Sequence, residues 1–484
     1  MENKNFMKHF FIIGGGTFLN LLLSLFTTPL ITRIVDPVEY GQFSIFTMYS
    51  SMALIVLLLG MDQALLRFYY EKSNVEFKRA LVFKCVGLPA VVTVIASIVV
   101  LIVAFGGIIK FEFTPIIMSL LCIYTFIQVV YRFSLNVLRL EYNSKMFSVL
   151  NIIQKVGYIV LAVPLLYAVK SNYLLILVVA TTVAALVSLL VSIIYQKKIW
   201  NIRLLDMRAC DISIKEILQY SIPLIVSMGI TTLFQAIDKM SLNYYCTYTE
   251  VGIYSSTLSL VSIFAIVQST FNTLWNPMAT EHFIRNSEDR SFYQKGNQII
   301  TVIMFFMGIS LILCKDVFAI LLGERYREAA YILPFLIFHP IMYTISETTV
   351  TGISFMKKSK MQILIAASAC ITNIIGNTIL VPKFGCQGAA ISTGISYIVF
   401  FTMRTSISNK YFYVDFKLKK FYLLTAFVAL YALYNTFIHF GFGAIVGYLV
   451  CLILLIVLYK DTIMWGIKYL LKLLKSKVRY GGNK

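Results

Sequence analysis

The sequence predicts an all-α polytopic membrane protein with about 14 transmembrane helices, built as two six-helix lobes followed by two C-terminal helices. Three observations predict it. Hydrophobic residues make up 59% of the 484 and charged residues only 13%, against about a quarter charged in an ordinary soluble domain. Runs such as Val91 to Phe105, Leu174 to Val191 and Phe442 to Leu458 are, with their flanks, long enough for the roughly 20 helical residues that cross a hydrocarbon core. Lysine and arginine gather in short clusters between these runs. The same runs exclude a membrane barrel, whose strands would alternate apolar and polar residues in segments of about ten.

Taken in order, apolar runs set against loop signals place helices near 10–32, 43–66, 80–105, 115–138, 147–169 and 173–195. These form an N-lobe over 1–195. The first run has the basic start of a signal sequence, Lys4 and Lys8 before Phe10, but continues apolar to Thr32 and is read as an uncleaved helix. A basic polar stretch over 196–216 forms a cytoplasmic linker. A C-lobe over 217–408 carries helices near 217–240, 252–277, 299–322, 330–355, 362–381 and 388–408. Two more spans, near 421–438 and 442–459, lie within 409–459. The tail, 460–484, sets Trp465, Leu470 and Leu474 against Lys468, Lys472 and Lys475, as a basic amphipathic helix lying on an anionic leaflet would.

With Met1 inside, about 33 of the 42 Lys and Arg residues fall on one side, which the retention of basic loops makes cytoplasmic. An even number of spans then puts both termini inside a multi-pass protein of the cytoplasmic membrane. The net charge of +20 is distributed as this topology requires and not as a nucleic-acid footprint, so no nucleic-acid partner is expected. The eight cysteines show no CxxC spacing, and His9, His282, His339 and His439 are dispersed. No metal site is expected. No phosphate loop appears and external segments are short, so neither a cofactor nor an enzymatic activity is expected.

The halves echo each other. Val38-Glu39-Tyr40-Gly41 leads into the second helix as Thr249-Glu250-Val251-Gly252 leads into the eighth, and Ser144-Lys145-Met146 before the fifth matches Ser359-Lys360-Met361 before the eleventh. Six spans per repeat preserve orientation, so the repeat axis should run along the membrane normal, an architecture that supports alternating access by rocking.

Several segments, in order, resemble the polysaccharide-biosynthesis oligosaccharide flippases of the multidrug/oligosaccharidyl-lipid/polysaccharide exporter superfamily. They are Arg33-Ile34-Val35-Asp36-Pro37, Gly60-Met61-Asp62-Gln63, Asn276-Pro277, Gly352 with Lys357-Lys358-Ser359-Lys360, and Val381 through Ala390. The resemblance covers most of the chain. It implies fourteen helices, two six-helix lobes, and a substrate of sugar repeat units on undecaprenyl diphosphate, moved from the cytoplasmic to the outer leaflet for O-antigen, capsule or exopolysaccharide synthesis. Partners would be that lipid-linked oligosaccharide, the phospholipid bilayer, and the glycosyltransferases and polymerase of the same pathway. The alternative within the superfamily is a multidrug/cation antiporter.

A diphosphate crossing a low-dielectric interior needs cations, and its sugars need amides and hydroxyls. Arg132, about two turns from the inner end of the fourth helix, and Lys155, a little over two turns into the fifth, are the deep candidates. Glu347 in the tenth helix holds the place in the second half that Arg132 holds in the first, so the two either pair across the lobes as a gate or each neutralise a neighbour within their own lobe. Arg33, with Asp238 and Lys239, marks the outer side; Asp62 and Arg67 lie at the inner end of the second helix, as a cap or a phosphate guide. Gln268, Asn272 and Asn276 share a stripe of the eighth helix with Trp275, a possible sugar path. Asp62, Asp238 and Glu347 are the carboxylates available for gating or ion coupling.

Overall fold

In the computed structural model the described residues are 19–20, 22–107, 109, 111–358 and 360–468. Glycines 14–16, expected to interrupt the first helix, and the tail beyond 468 lie outside them. The regular elements among the described residues are all helical, with no strand among them. Among the described residues nine helices are long and apolar enough to cross a bilayer, or up to eleven when each bent pair is taken as one span.

The helices run in the expected order, several longer than their apolar runs because polar residues cap a further turn. First come α1 (Leu22–Thr32), α2 (Pro37–Leu57), α3 (Met61–Phe68), α4 (Val75–Phe105), α5 (Pro115–Leu140), α6 (Ser144–Ala168) and α7 (Tyr173–Tyr195). Pro37 and Pro115 open their helices where the missing N–H costs nothing. Asn74 accepts from the amide of Glu76 at the start of α4, and Asn143 from that of Met146 at the start of α6. Next are α8 (Ile214–Tyr245) and α9 (Tyr248–Val261); Ser213 caps α8 through the Glu216 amide, three residues on. Then follow α10 (Phe264–Arg285), α11 (Ser291–Leu313), α12 (Lys315–Leu322), α13 (Ala329–Leu336), α14 (Phe338–Thr349), α15 (Thr351–Phe355), α16 (Lys360–Tyr411), α17 (Leu418–Phe437) and α18 (Phe442–Leu458). A short helix α19 (Lys460–Lys468) leaves α18 at 79°.

Single apolar runs hide breaks. The second span, expected to be continuous over 43–66, is interrupted between α2 and α3, where Leu59 (φ 52°) and Gly60 (φ 64°) take left-handed conformations. A side chain on Gly60 would put its Cβ 2.6 Å from the Ser221 carbonyl oxygen, so the turn needs glycine on two counts. The eighth span is likewise divided, into α9 and α10, and the tenth into α13, α14 and α15. Conversely, α16 holds the expected eleventh and twelfth spans, bent at Gly385 (φ 52°, ψ −131°).

The chain divides into two compact units, Met1–Ser259 and Leu260–Lys484. The first thus takes in the seventh helix and most of α9 besides the first six, a grouping that differs from lobes closing at 195 and 408. Within it the linker is strapped to the start of α4. Buried Arg79 donates to the carbonyls of Lys198 (3.0 and 2.8 Å) and Leu204 (2.5 Å). Lys84 donates to those of Cys210 (2.6 Å) and Ile212 (3.0 Å). These two basic side chains are therefore committed to backbone acceptors.

The repeat is visible as reciprocal contact inside the first unit. A Cβ on Gly41 would lie 1.9 Å from the Tyr248 carbonyl oxygen, and one on Gly252 would lie 2.1 Å from the Pro37 carbonyl oxygen. Each matched glycine receives the backbone of the other's helix start. One turn on, the equivalent Ser44 and Ser255 share a 2.7 Å hydroxyl hydrogen bond. Such reciprocity is the signature of a two-fold axis. Matching hydroxyl pairs also tie the fourth and sixth spans of each half, Ser134 to Ser192 (2.5 Å) and Thr349 to Thr405 (2.8 Å).

In the second unit Lys315 is fully buried. Its ammonium donates to the carbonyls of Asn435 and Ile438 beneath the Tyr331 ring, tying the start of α12 to the end of α17.

Candidate functional site

The break between α2 and α3 sets up the first group. Gly60 ends one helix and starts the next, so Asp62 lies in the first turn of α3, where exposed N–H groups favour a negative charge. It is fully buried. Its Oδ2 accepts from the Gln63 amide (2.8 Å) and from Arg132 Nε on α5 (3.4 Å), while Asn136 Nδ2 holds its backbone carbonyl (3.3 Å). Oδ1 is buried with no hydrogen-bond donor. Arg132 is 41% exposed, and among the described residues its two terminal nitrogens make no hydrogen bond. The pairing is thus one-sided. One edge of the guanidinium is held by the carboxylate while the fork that grips phosphate bidentately remains open.

Lys155, on the neighbouring helix α6, is half-buried and has neither an acceptor nor a carboxylate among the described residues. A cation in such a place lacks the partner that membrane interiors normally supply. Lys239 of α8 lines a 180 Å³ cavity with Thr47, Ser51, Thr232 and Gln235. Its neighbour Asp238 is buried and accepts from the Tyr254 hydroxyl at 2.7 Å.

Glu347 forms the second group, and its partner was not anticipated. Arg404, at the end of an apolar run where a basic loop begins in the sequence, lies inside α16 with its side chain 8% exposed, donating to Glu347 (2.8 Å) and to the Ser346 hydroxyl (2.6 Å). The rings of Tyr343 and Phe400 flank the guanidinium at 5.6 and 5.5 Å. Of the two arrangements the sequence left open, the structure has the one without an Arg132–Glu347 pair: each meets a partner within its own unit, Arg132 with Asp62 and Glu347 with Arg404. The missed signal was that Arg404 follows an uninterrupted apolar run and precedes Thr405, Ser406 and Ser408, which suit helix contacts as well as a loop.

The other expected residues are dispersed. Arg33 is exposed and has interactions of its own. Arg67, 56% exposed, turns to Glu71 (3.7 Å) and not to Asp62. On α10, Trp275 leaves the polar stripe to stack on Phe271 and Phe292. Gln268 and Asn272 are half-buried, with Asn272 Oδ1 lacking a donor, and Asn276 is exposed on an open groove with Thr280, Glu281 and Arg285. No cluster of three or more potential metal ligands occurs among the described residues.

A family model described as polysaccharide biosynthesis protein matches residues 6–283. The chain is 21% identical over 214 residues to a probable low-salt glycan biosynthesis flippase of Haloferax volcanii, a stretch covering 43% of this chain and 44% of that relative, which the match therefore spans by less than half. Among solved structures it is similar to the lipid II flippase MurJ in an inward closed conformation, with a TM-score of 0.68 at 16% identity over 95% of this chain and 100% of that one. A multidrug resistance MATE family transporter in an inward-facing conformation aligns with a TM-score of 0.58 at 14% identity over 81% of this chain and 94% of that one. At these identities the structural likenesses establish a shared transporter fold.

Proposed function

Because this chain belongs to the polysaccharide biosynthesis protein family, we propose that it carries undecaprenyl-diphosphate-linked oligosaccharide from the cytoplasmic to the outer leaflet of the cell membrane by alternating access. The observation that carries the reading is the pair of half-buried cations on adjacent helices α5 and α6. Arg132 has an open guanidinium fork and Lys155 has no partner among the described residues. Both suit a diphosphate: the contact of Arg132 with Asp62 uses only its Nε, and Lys155 has no acceptor among the described residues to account for it. The head moves while the polyprenyl tail stays in lipid, and hydroxyls and amides such as Gln235 and Thr232 beside Lys239 offer a polar path beyond.

The direction is electrically favourable. A head of charge near minus two leaving a negative interior gains about 2.3 kcal/mol per charge per 100 mV, roughly 4 to 5 kcal/mol in total. The protein's task is to lower the barrier. A cation-coupled drug antiporter, by contrast, would want Glu347 accessible, and that carboxylate is bound by Arg404.

Arg132→Ala and Lys155→Ala should each block polymer export in cells while the protein remains in the membrane at normal levels. Wild-type polymer from the double variant removes both residues from the mechanism and the reading with them. The reciprocal crossing at Gly41 and Gly252 is the place at which the alternating-access step can be tested. Cysteines replacing Ser44 and Ser255 should cross-link under oxidant and stop export until reduced; undiminished export by the cross-linked protein argues against separation at this point.

A further inference from the structure

Asp62 is poorly satisfied for a buried carboxylate. Its side chain is completely shielded, one oxygen has no donor, and its countercharge approaches only through Nε at 3.4 Å. A charge buried this deeply needs a close partner to offset its desolvation. Arg132 is its only cationic partner among the described residues, and it is the same group whose fork is offered to the substrate. A diphosphate that draws the guanidinium toward itself lengthens an already long contact and leaves Asp62 uncompensated.

We propose that Asp62 is a monovalent-cation site, for a proton or a sodium ion, filled when the diphosphate takes Arg132 and emptied when Arg132 returns. This deepens the flippase reading and rests on it. The exchange keeps the group near constant charge: the carboxylate has Arg132 in the empty transporter and a small cation in the loaded one. Binding of the head and of the cation are then linked, each favouring the other to the same degree.

The surroundings are consistent with one dominant partner. From α5, Arg132 and Asn136 face Asp62. From α4, the Cys85 thiol lies within its electrostatic reach, with Lys84 beyond it committed to the linker carbonyls. From α8, Ser221 meets the turn at Gly60. Within α3, Arg67 is turned to Glu71. Arg139, nearest to Arg132 along α5, covers the ring of Phe147.

The test is calorimetric titration of the purified full-length protein with farnesyl diphosphate. At fixed pH, buffers of different ionisation heat count protons taken up; a sodium series at fixed ionic strength counts sodium. The expected result is one cation taken up per diphosphate beyond what the probe takes up alone. If it is a proton, affinity weakens up to tenfold per unit rise in pH; if sodium, it tightens up to tenfold per tenfold rise in sodium. Asp62→Asn should bind the probe with no such uptake. If that variant does not purify as a monodisperse protein, Asp62→Ser decides, because without the carboxylate the count falls to zero. Binding by the wild type with no linked cation, or the same count in either variant, overturns the exchange and leaves the flippase reading intact. No binding of the diphosphate by the wild type overturns both.

Discussion

Each half of the molecule holds an arginine–carboxylate pair, one member of which, Arg132 or Glu347, stands at a repeat-related place, and the two pairs are used differently. Arg132 and Glu347 each stand twelve residues ahead of the matched serine of the Ser-Lys-Met motif. In the first half the carboxylate is buried at a helix break and the arginine is 41% exposed, 3.4 Å away. In the second both members are nearly enclosed, at 8% and 11%, and meet at 2.8 Å with a serine and two rings completing the shell. Burial and satisfaction together decide what a charge can do. The enclosed pair is a structural element, and the half-open one retains donors for a ligand.

The largest expected effect lies in the closed pair. Glu347→Ala leaves Arg404 buried without its countercharge, which typically costs about 3 to 5 kcal/mol. The folded fraction recovered in detergent and the melting temperature should both drop sharply, and an unchanged melting curve would mean that water reaches Arg404.

Replacing both members sharpens the contrast. Glu347→Leu with Arg404→Met removes two charges that only neutralise each other, and such exchanges are often neutral or stabilising by about 1 to 4 kcal/mol. Folding and polymer export should survive. Asp62→Leu with Arg132→Met should also fold but lose export at least tenfold, because the lost guanidinium served the substrate. Equal export by the two double variants would erase the distinction between the halves.

Much of this was legible in the sequence, for reasons that also mark its limit. Apolar runs located the helices because the bilayer demands about 20 such residues in a row. The repeat was readable at Gly41 and Gly252 because a backbone crossing tolerates no side chain, so the small residues stand in register in both halves. The break at Leu59 and Gly60 was hidden, since a left-handed turn inside an apolar run changes no hydropathy. It alone converts Asp62 from the far end of one helix to the buried start of another. The burial of Arg404 and Lys315 was hidden for a related reason. A basic residue at the end of an apolar run looks the same whether it reaches water or turns inward to a carboxylate or a carbonyl, and only the packing of distant segments, α14 or α17, decides.

A third ion pair separates distance from burial. Lys72 and Asp211 meet at 2.9 Å, closer than Arg132 and Asp62, but both are exposed, at 51% and 68%. The hydrogen bond from the Lys72 ammonium holds the Asp211 carboxyl below its usual range. Its contribution to stability is thus present above pH about 4 and fades as the pH falls through that lowered value. Exposure to water and salt keeps it small. Asp211→Asn should leave the neutral-pH melting temperature without a resolvable change, and adding salt should not separate variant from wild type. A clear loss of stability in that variant would mean that geometry, and not burial, ranks the three pairs, and the contrast between the halves would then need another cause.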